Sequence, residues 1–583
     1  SNSSQPSATQ TAQDNETSFY KMDVVPYVTK LYTNISDSAG EDFARSATGK
    51  YIVHSNENIR MYGFNLVAGT NNVSINDTKI TTSAGDGTYI NLPVGTMAVS
   101  GKVSVTVNSI TSLNNINANP EFKSETDNTV IKNEYNCQAN GTTNNRLTDD
   151  VELYIWNIDY FLEKTDITSP IMKMDSDSNY YMSYGYGIPS MYVNKNGSTR
   201  QVDYSYNKFH NTNVAFDDNG NIYAVATNTD RVGDSSAKFT FYTPYSNSVS
   251  NQMPDSVKNS NTAYQNSSYS KRQLETVYNN STSKYDINRV KRPKITTYTS
   301  GNTTYIAMAY YDYNNTINPV KFRFGSRDGT NISGGITGNV NGLSESNNPN
   351  TSDSSASGYH IVASSNTSKK GGEYASCGIV PISNGYVGVV AWYDASVRKI
   401  CYSYNVNPDS AVVGGDWQTN AIYLDDSYTG WYVDMCVDGA GGIHIAYYNS
   451  AKGDLKYAYL SSYDDKNPAV VTVDSYLSVG TNISINTRLE NGKYVPYIYY
   501  YNASSNQTMN SIKVAWQNDV SNVKQGAIGD KFTGAWECMT IPTTNIPVDA
   551  TVCGGVPTAG TYGNAVVLGY MSDTGYERAV LNK

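Results

Sequence analysis

Gly441–Leu460 reads GGIHIAYYNSAKGDLKYAYL. It parses as a strand, Ile443–Tyr448, then Asn449 and a short polar turn, then a second strand, Leu455–Leu460. Apolar and aromatic residues alternate with small or polar ones in both halves, the period expected of a half-buried β-strand. Variants of this hairpin recur. Tyr305–Tyr311 is followed by Asp312 and Val320–Gly325, Val387–Tyr393 by Asp394 and Lys399–Tyr404. Tyr494–Tyr501 is followed by Asn502 and Ser511–Trp516, and Ala565–Met571 by Ser572-Asp573 and Tyr576–Leu581. Weaker copies are Tyr180–Tyr184 with Ser190–Asn194, and Ile222–Thr227 with Lys238–Tyr242.

Each copy is preceded by a further strand entered through a polar or glycine turn, such as Val214–Phe216 before Asp217-Asp218-Asn219-Gly220, or Val433–Val437 before Asp438-Gly439. Asn-Gly pairs supply the positive φ that tight hairpins require. Candidate fourth strands follow, such as Ala421–Leu424 and Ala469–Val473. The expected fold is all-β, and seven units of about four antiparallel strands predict a seven-bladed β-propeller over residues 151–583. The last copy ends at Leu581 without a fourth strand. Residues 151–159, VELYIWNID, precede the first copy with no partner of their own, and are expected to complete the last blade and so remove exposed strand edges.

The chain has 583 residues, enough for two or three domains. Its formal net charge is −10, which argues against a nucleic-acid backbone as partner. Charged residues make up 16%, below the roughly 25% of ordinary soluble domains, so solubility rests on Asn, Ser, Thr and Gly. Tyr outnumbers Phe by 51 to 12, which suits strands that are apolar along the ring and wet at the hydroxyl. This composition is typical of exported or surface β proteins. No run approaches the ~18 apolar residues of a membrane span. Residues 1–18 are polar and aperiodic and read as a flexible tether; a lipid anchor upstream of Ser1 is compatible with them.

Residues 19–118 show short alternating strands. Ile59-Arg60-Met61-Tyr62-Gly63-Phe64-Asn65-Leu66 is followed by a short strand and turn (Val73–Asp77), by Tyr89–Pro93 and by Gly101–Val107. This order resembles the IPT/TIG immunoglobulin-like domains, over about a sixth of the chain. The resemblance implies an N-terminal Ig-like β-sandwich that acts as a spacer on a bacterial surface protein, and implies location rather than chemistry. Residues 119–150 read as a linker, and 243–291 and 327–358 as long polar loops of the propeller.

Motifs with chemistry are few. There is no G-x-S-x-G, H-E-x-x-H or P-loop. The S-x-D-x-G-x-T-W box of sialidase-like blades has no complete copy; Ser326-Arg327-Asp328-Gly329-Thr330 is one residue short. The four histidines, His54, His210, His360 and His444, stand apart in sequence. Asp175-Ser176-Asp177-Ser178-Asn179 and Asp217-Asp218-Asn219-Gly220-Asn221 resemble oxygen-rich cation loops, but Asx turns account for them without a metal. Cys137, Cys377, Cys401, Cys436, Cys538 and Cys553 allow fifteen pairings or free buried thiols. No catalytic residue, metal or cofactor is expected. The second strands end on two aromatics and Asp or Asn, a pattern that either packs between blades or rings a face suited to stacking on sugars. Candidate contacts are Tyr311, Trp392, Trp431, Tyr432 and Tyr448. The favoured reading is a non-catalytic surface protein, adhesin-like, that recognises a glycan or a surface protein on the outer face of a bacterial envelope. The alternatives are a self-associating structural subunit and a glycan-active enzyme.

Overall fold

In the computed structural model, the described residues are those of the strands below and their adjoining turns, most continuously 152–163, 167–186, 190–204, 371–394, 431–475, 481–503 and 536–583. Among them every helix or strand is a β-strand. The chain divides into two units, residues 1–158 with 580–583, and 159–579.

In the first unit, Tyr27–Thr33, Asn58–Phe64 and Tyr89–Pro93 form one antiparallel sheet. Asn72–Ile75 pairs with both Thr78–Thr81 and Gly101–Val107 in another. Ile59, Met61 and Ile90 on one sheet, and Val73, Ile75 and Val103 on the other, are fully or almost fully buried, at every second position as strand alternation requires. Tyr51–His54 runs parallel to Leu153–Trp156. Within the segment read as a tether, Thr9–Thr11 pairs with Phe19–Lys21, which pairs in turn with Phe122–Ser124 of the segment read as a linker.

In the second unit, antiparallel sheets follow one another along the chain. Six have first strands Ile167–Met174, His210–Phe216, Val290–Ser300, Gly371–Ile382, Val433–Val437 and Thr481–Glu490. The seventh begins with Pro547–Gly555 and continues through Ala565–Ser572 and Gly575–Asn582. Glu152–Glu163 lies next to Gly575–Asn582 in the sheet order, and the division between the units falls within both strands. Arg578 donates to the Asp159 carboxylate from Nε (3.1 Å) and from Nη2.

The first strand of each sheet packs on the first strand of the next, and that of the seventh packs on that of the first. Gly554 and Gly555 permit close approaches. A Cβ at Gly554 would lie 2.4 Å from the Tyr499 ring of the sixth sheet, and one at Gly555 would lie 2.3 Å from Met174 Cβ of the first. The backbone N–H groups of Thr558 and Ala559 donate to Ser176 O at 2.9 Å, and Ser178 Oγ binds Ala559 O.

Between sheets, buried polar staples repeat. In the third, fifth and sixth sheets, a cation on the third strand meets a tyrosine on the second strand and an acceptor from the preceding sheet. Arg323 donates to Tyr310 Oη (2.8 Å) and Leu274 O (2.9 Å). Lys456 pairs with Asp425, which also accepts from Tyr447 Oη. Lys513 pairs with Asp474, which accepts from Tyr500 Oη at 2.6 Å. These tyrosines are the first members of the aromatic pairs seen in the sequence, so that pattern belongs to inter-sheet packing.

Of the long polar segments, Tyr269–Thr276 is the fourth strand of the second sheet and carries Lys271 and Arg272, and Val340–Asn341 pairs with Ser326-Arg327. The rest of both segments lies largely outside the described residues. The described cysteines are free thiols. Cys377 and Cys401 sit on strands separated by a third, Gly385–Asp394. Two strand spacings are about 9.5 Å, beyond disulfide reach.

Removing one partner of a buried pair leaves an uncompensated charge, so Lys513→Met is expected to lower unfolding free energy by about 3–5 kcal/mol. Lys513→Met combined with Asp474→Asn should recover part of that loss. Urea denaturation of the two variants checks both outcomes.

Candidate functional site

The inner strands of the second unit enter their sheets through β-bulges. Register shifts fall between Thr168 and Ile171, His210 and Asn213, Lys291 and Lys294, Gly371 and Ala375, Thr481 and Ser484, and Pro547 and Val552. An extra residue in a strand bends it and re-aims the side chains beside it. Asn211, Arg292 and Asn482, each inside a bulge, take φ of 50°, 47° and 49°.

Just past the bulges the seven inner strands enclose a cavity of about 430 Å³. Its polar wall includes Lys173, Asn213, Lys294, Ser376, Asp434, Asp438 and Asn486. Asp434 is almost fully used: Ser376 Oγ donates to Oδ1 at 2.9 Å, the Ile485 N–H to Oδ2 at 3.0 Å, and Lys294 Nζ lies 3.4 Å from Oδ1. Lys173 Nζ donates to Asn213 Oδ1 at 3.1 Å and Ile295 O at 2.6 Å. Burial, then the neighbouring Lys294, pull the Lys173 pKa down to about 8 despite the opposing pull of Asp434. Burial pushes the wall thiols up, Cys377 to about 12 and Cys553 to about 11, so both are held as thiols.

A second tier lies two residues earlier on four of these strands. Arg292 precedes Lys294, Tyr374 precedes Ser376, Tyr432 precedes Asp434 and Asn482 precedes Ser484. The Arg292 guanidinium lies 4.4 Å from the Tyr374 ring centre and 5.0 Å from that of Tyr432, and donates to Asn482 Oδ1 at 3.0 Å. The Tyr374 and Tyr432 rings are 4.5 Å apart, and Tyr448 meets Tyr432 edge-on at 6.3 Å. Trp431 is 56% exposed. Its φ of 66° and the 28° of Tyr432 form a left-handed pair rare for bulky residues. The Tyr448 N–H to Tyr432 O bond (3.1 Å) pins that turn.

No family model matches the sequence, and no curated protein matches it. Among solved structures, AofleA from Arthrobotrys oligospora is similar over 73% of this chain and 86% of its own, at 9% identity and a TM-score of 0.34. The fucose-specific lectin from Aleuria aurantia is similar over 62% and 89%, at 11% identity and 0.31. The intramolecular trans-sialidase from Ruminococcus gnavus is similar over 71% and 93%, at 10% identity and 0.34. Scores this low carry no argument about the chemistry of this chain.

Of the aromatics singled out in sequence, the structure brings Tyr432 and Tyr448 together beside the exposed Trp431. It buries Tyr311 at 5% exposure and Trp392 at 1%. Arg292, Tyr374 and Asn482 gave no joint signal in the sequence, because they stand on three different sheets. The Lys291-Arg292-Pro293 run reads as a solvated loop in sequence, but Arg292 lies on an inner strand and stacks on two rings.

The oxygen-rich turns are self-satisfied. Asp175 accepts from the N–H of Asp177 and Asn179 and from Tyr181 Oη; Asp217 accepts from those of Asn219 and Asn221 and from Tyr223 Oη. Asp438 repeats the geometry, with the N–H of Ala440 and Gly442 and with His444 in place of tyrosine at 2.7 Å. Burial alone would raise the Asp438 pKa, but His444 and the two backbone donors bring it below the usual 3.8. The contribution of Asp438 to stability is therefore complete above about pH 4 and is lost as pH falls through its lowered value. Asp438→Asn should cost about 1–3 kcal/mol at pH 7, the loss expected for charge-assisted hydrogen bonds. The deficit should shrink toward pH 3, as urea curves at the two pH values would show.

Proposed function

We propose that residues 151–583 form a seven-bladed β-propeller, completed by the strand at 152–163, and that it recognises a glycan at the bulged end of its inner strands without catalysing a reaction. The observation that carries this reading is the two-tier site. A cluster of aromatic rings and a guanidinium comes two residues before the wall of a polar cavity on the same inner segments. Sugar rings offer apolar C–H faces to aromatics, and their hydroxyls take hydrogen bonds from amide, hydroxyl and ammonium groups. The volume of about 430 Å³ lies in the range of small-ligand pockets.

Carboxylate-pair hydrolysis fits the cavity less well. The acids on its described wall are Asp434 and Asp438, four residues apart on one chain segment and both engaged in hydrogen bonds. Four strand residues span about 13 Å, beyond the roughly 5–9.5 Å between the carboxyls of retaining and inverting glycosidases.

The paired sheets of residues 27–107 support an Ig-like domain that presents the propeller, and the Asn-, Ser- and Tyr-rich composition supports display at a cell surface. In this reading Trp431, Tyr432 and Tyr448 are ligand contacts, joined by Arg292 and Tyr374.

Trp431→Ala and Tyr432→Ala are expected to weaken binding to the best ligand on a glycan array by about tenfold or more. Trp431→Ala should leave the melting temperature close to that of the parent, because the side chain is exposed. Unchanged binding in both variants would contradict this site assignment.

A further inference from the structure

The charge on the cavity wall is unbalanced. Four buried cations of the second unit have a carboxylate partner: Lys456 has Asp425, Lys513 has Asp474, Arg327 has Asp217 and Arg488 has Glu490. Lys173 has only neutral acceptors, Asn213 Oδ1 and Ile295 O. An ammonium carries three protons, so these two partners leave one donor for the cavity. Lys294 is also on this wall, a quarter exposed, with a single ion-pair contact at 3.4 Å to Asp434. Of the two acids on the wall, Asp438 is taken up by His444 and two backbone N–H groups, so both ammonium groups are left to Asp434, which is already shared with Ser376 and the Ile485 N–H. A deep charge without a counter-charge is costly, and a bound anion would relieve it.

We propose that the central cavity takes a carboxylate-bearing sugar, a uronic-acid type unit, with its carboxylate seated between Lys173 and Lys294. This rests on the reading of the cavity and its aromatic tier as a glycan site, and adds the ligand's charge. The sugar ring would lie toward the Tyr374 and Tyr432 tier, two residues along the strands from Ser376 and Asp434. Asn213 Oδ1 is occupied by Lys173 and by the Ile295 N–H, so it orients the ammonium rather than the ligand. Of the groups facing Lys173, Lys294 disfavours its charge and Asp434 favours it, while Cys377 and Cys553 are held as neutral thiols. With its pKa drawn down to about 8, Lys173 is charged at pH 6.5 and largely neutral by pH 9.5.

The test uses the full chain and two matched probes, methyl β-glucuronide and methyl β-glucoside, titrated by calorimetry or ligand-observed NMR at pH 6.5 and 9.5. The expected result is glucuronide binding about tenfold or more tighter than glucoside at pH 6.5, a difference of roughly 1.4 kcal/mol. The advantage should narrow at pH 9.5. Lys173→Met should cost glucuronide binding far more than glucoside binding, so that the two probes bind alike at both pH values. Should Lys173→Met fail to fold, the partly exposed Lys294→Met provides the same comparison, with thermal melts to confirm its fold. Equal binding of the two probes, with both lost in Tyr432→Ala, would overturn the acidic-sugar proposal and leave the glycan site standing. Binding of neither probe at millimolar concentration would overturn both.

Discussion

The sheets of the second unit are joined by buried cations that reach from one sheet to the next. A strand pair can satisfy its own backbone hydrogen bonds, but nothing in a hairpin fixes its angle to its neighbour. Lys456 and Lys513 supply that constraint, each held by an aspartate of the preceding sheet, with Tyr447 and Tyr500 sharing the carboxylate. Arg323 does the same work with a tyrosine and a backbone carbonyl. Such pairs contribute little net stability over a well-packed apolar alternative, but they penalise misplacement heavily. They therefore act mainly on geometry: they set where each inner strand stands, and the wall of the cavity follows from that.

The site is a consequence of how the inner strands begin. Bulges at their entrances turn Arg292, Tyr374 and Asn482 into one tier and bring Lys294, Ser376 and Asp434 into the next. The strain at Trp431 and Tyr432 belongs to the same end of the ring, where the fifth sheet has consecutive left-handed residues in place of a bulge. Fold-forming positions, by contrast, repeat from sheet to sheet. The aspartate turns at Asp175, Asp217 and Asp438 share one hydrogen-bond pattern and are spent on the fold.

Much of the architecture is legible in the chain itself. The hairpin at 443–460, its relatives, and most strand limits in the first hundred residues follow from alternation and turn residues. The sheet neighbour of VELYIWNID follows from simple arithmetic on unpaired strands. The site was far less legible. Its residues come one or two from each sheet, so no spacing in the sequence joins Lys173 to Lys294 or Arg292 to Tyr374. Bulges leave no reliable mark in single sequences either, and they decide which side chains face the cavity. Trp392 and Tyr311 show how a repeated motif reads as a surface in sequence and is buried in the structure. Their motif repeats because it packs, and repetition reports burial rather than binding. The thiols were equally open in sequence, because only the intervening strand shows that Cys377 and Cys401 stand too far apart to bond.

The central claim is that the sheets close on themselves, so that the seventh inner strand lies against the first and the cavity has a complete wall. The amides of Thr558 and Ala559 report on this directly, because both donate to Ser176 O of the first sheet. Hydrogen–deuterium exchange resolved over residues 556–564 is the measurement to make. A closed ring predicts strong protection at these two amides despite their position in a turn, comparable to that of the neighbouring strand at 565–572. Exchange at the rate of an open loop would contradict closure, and with it the cavity.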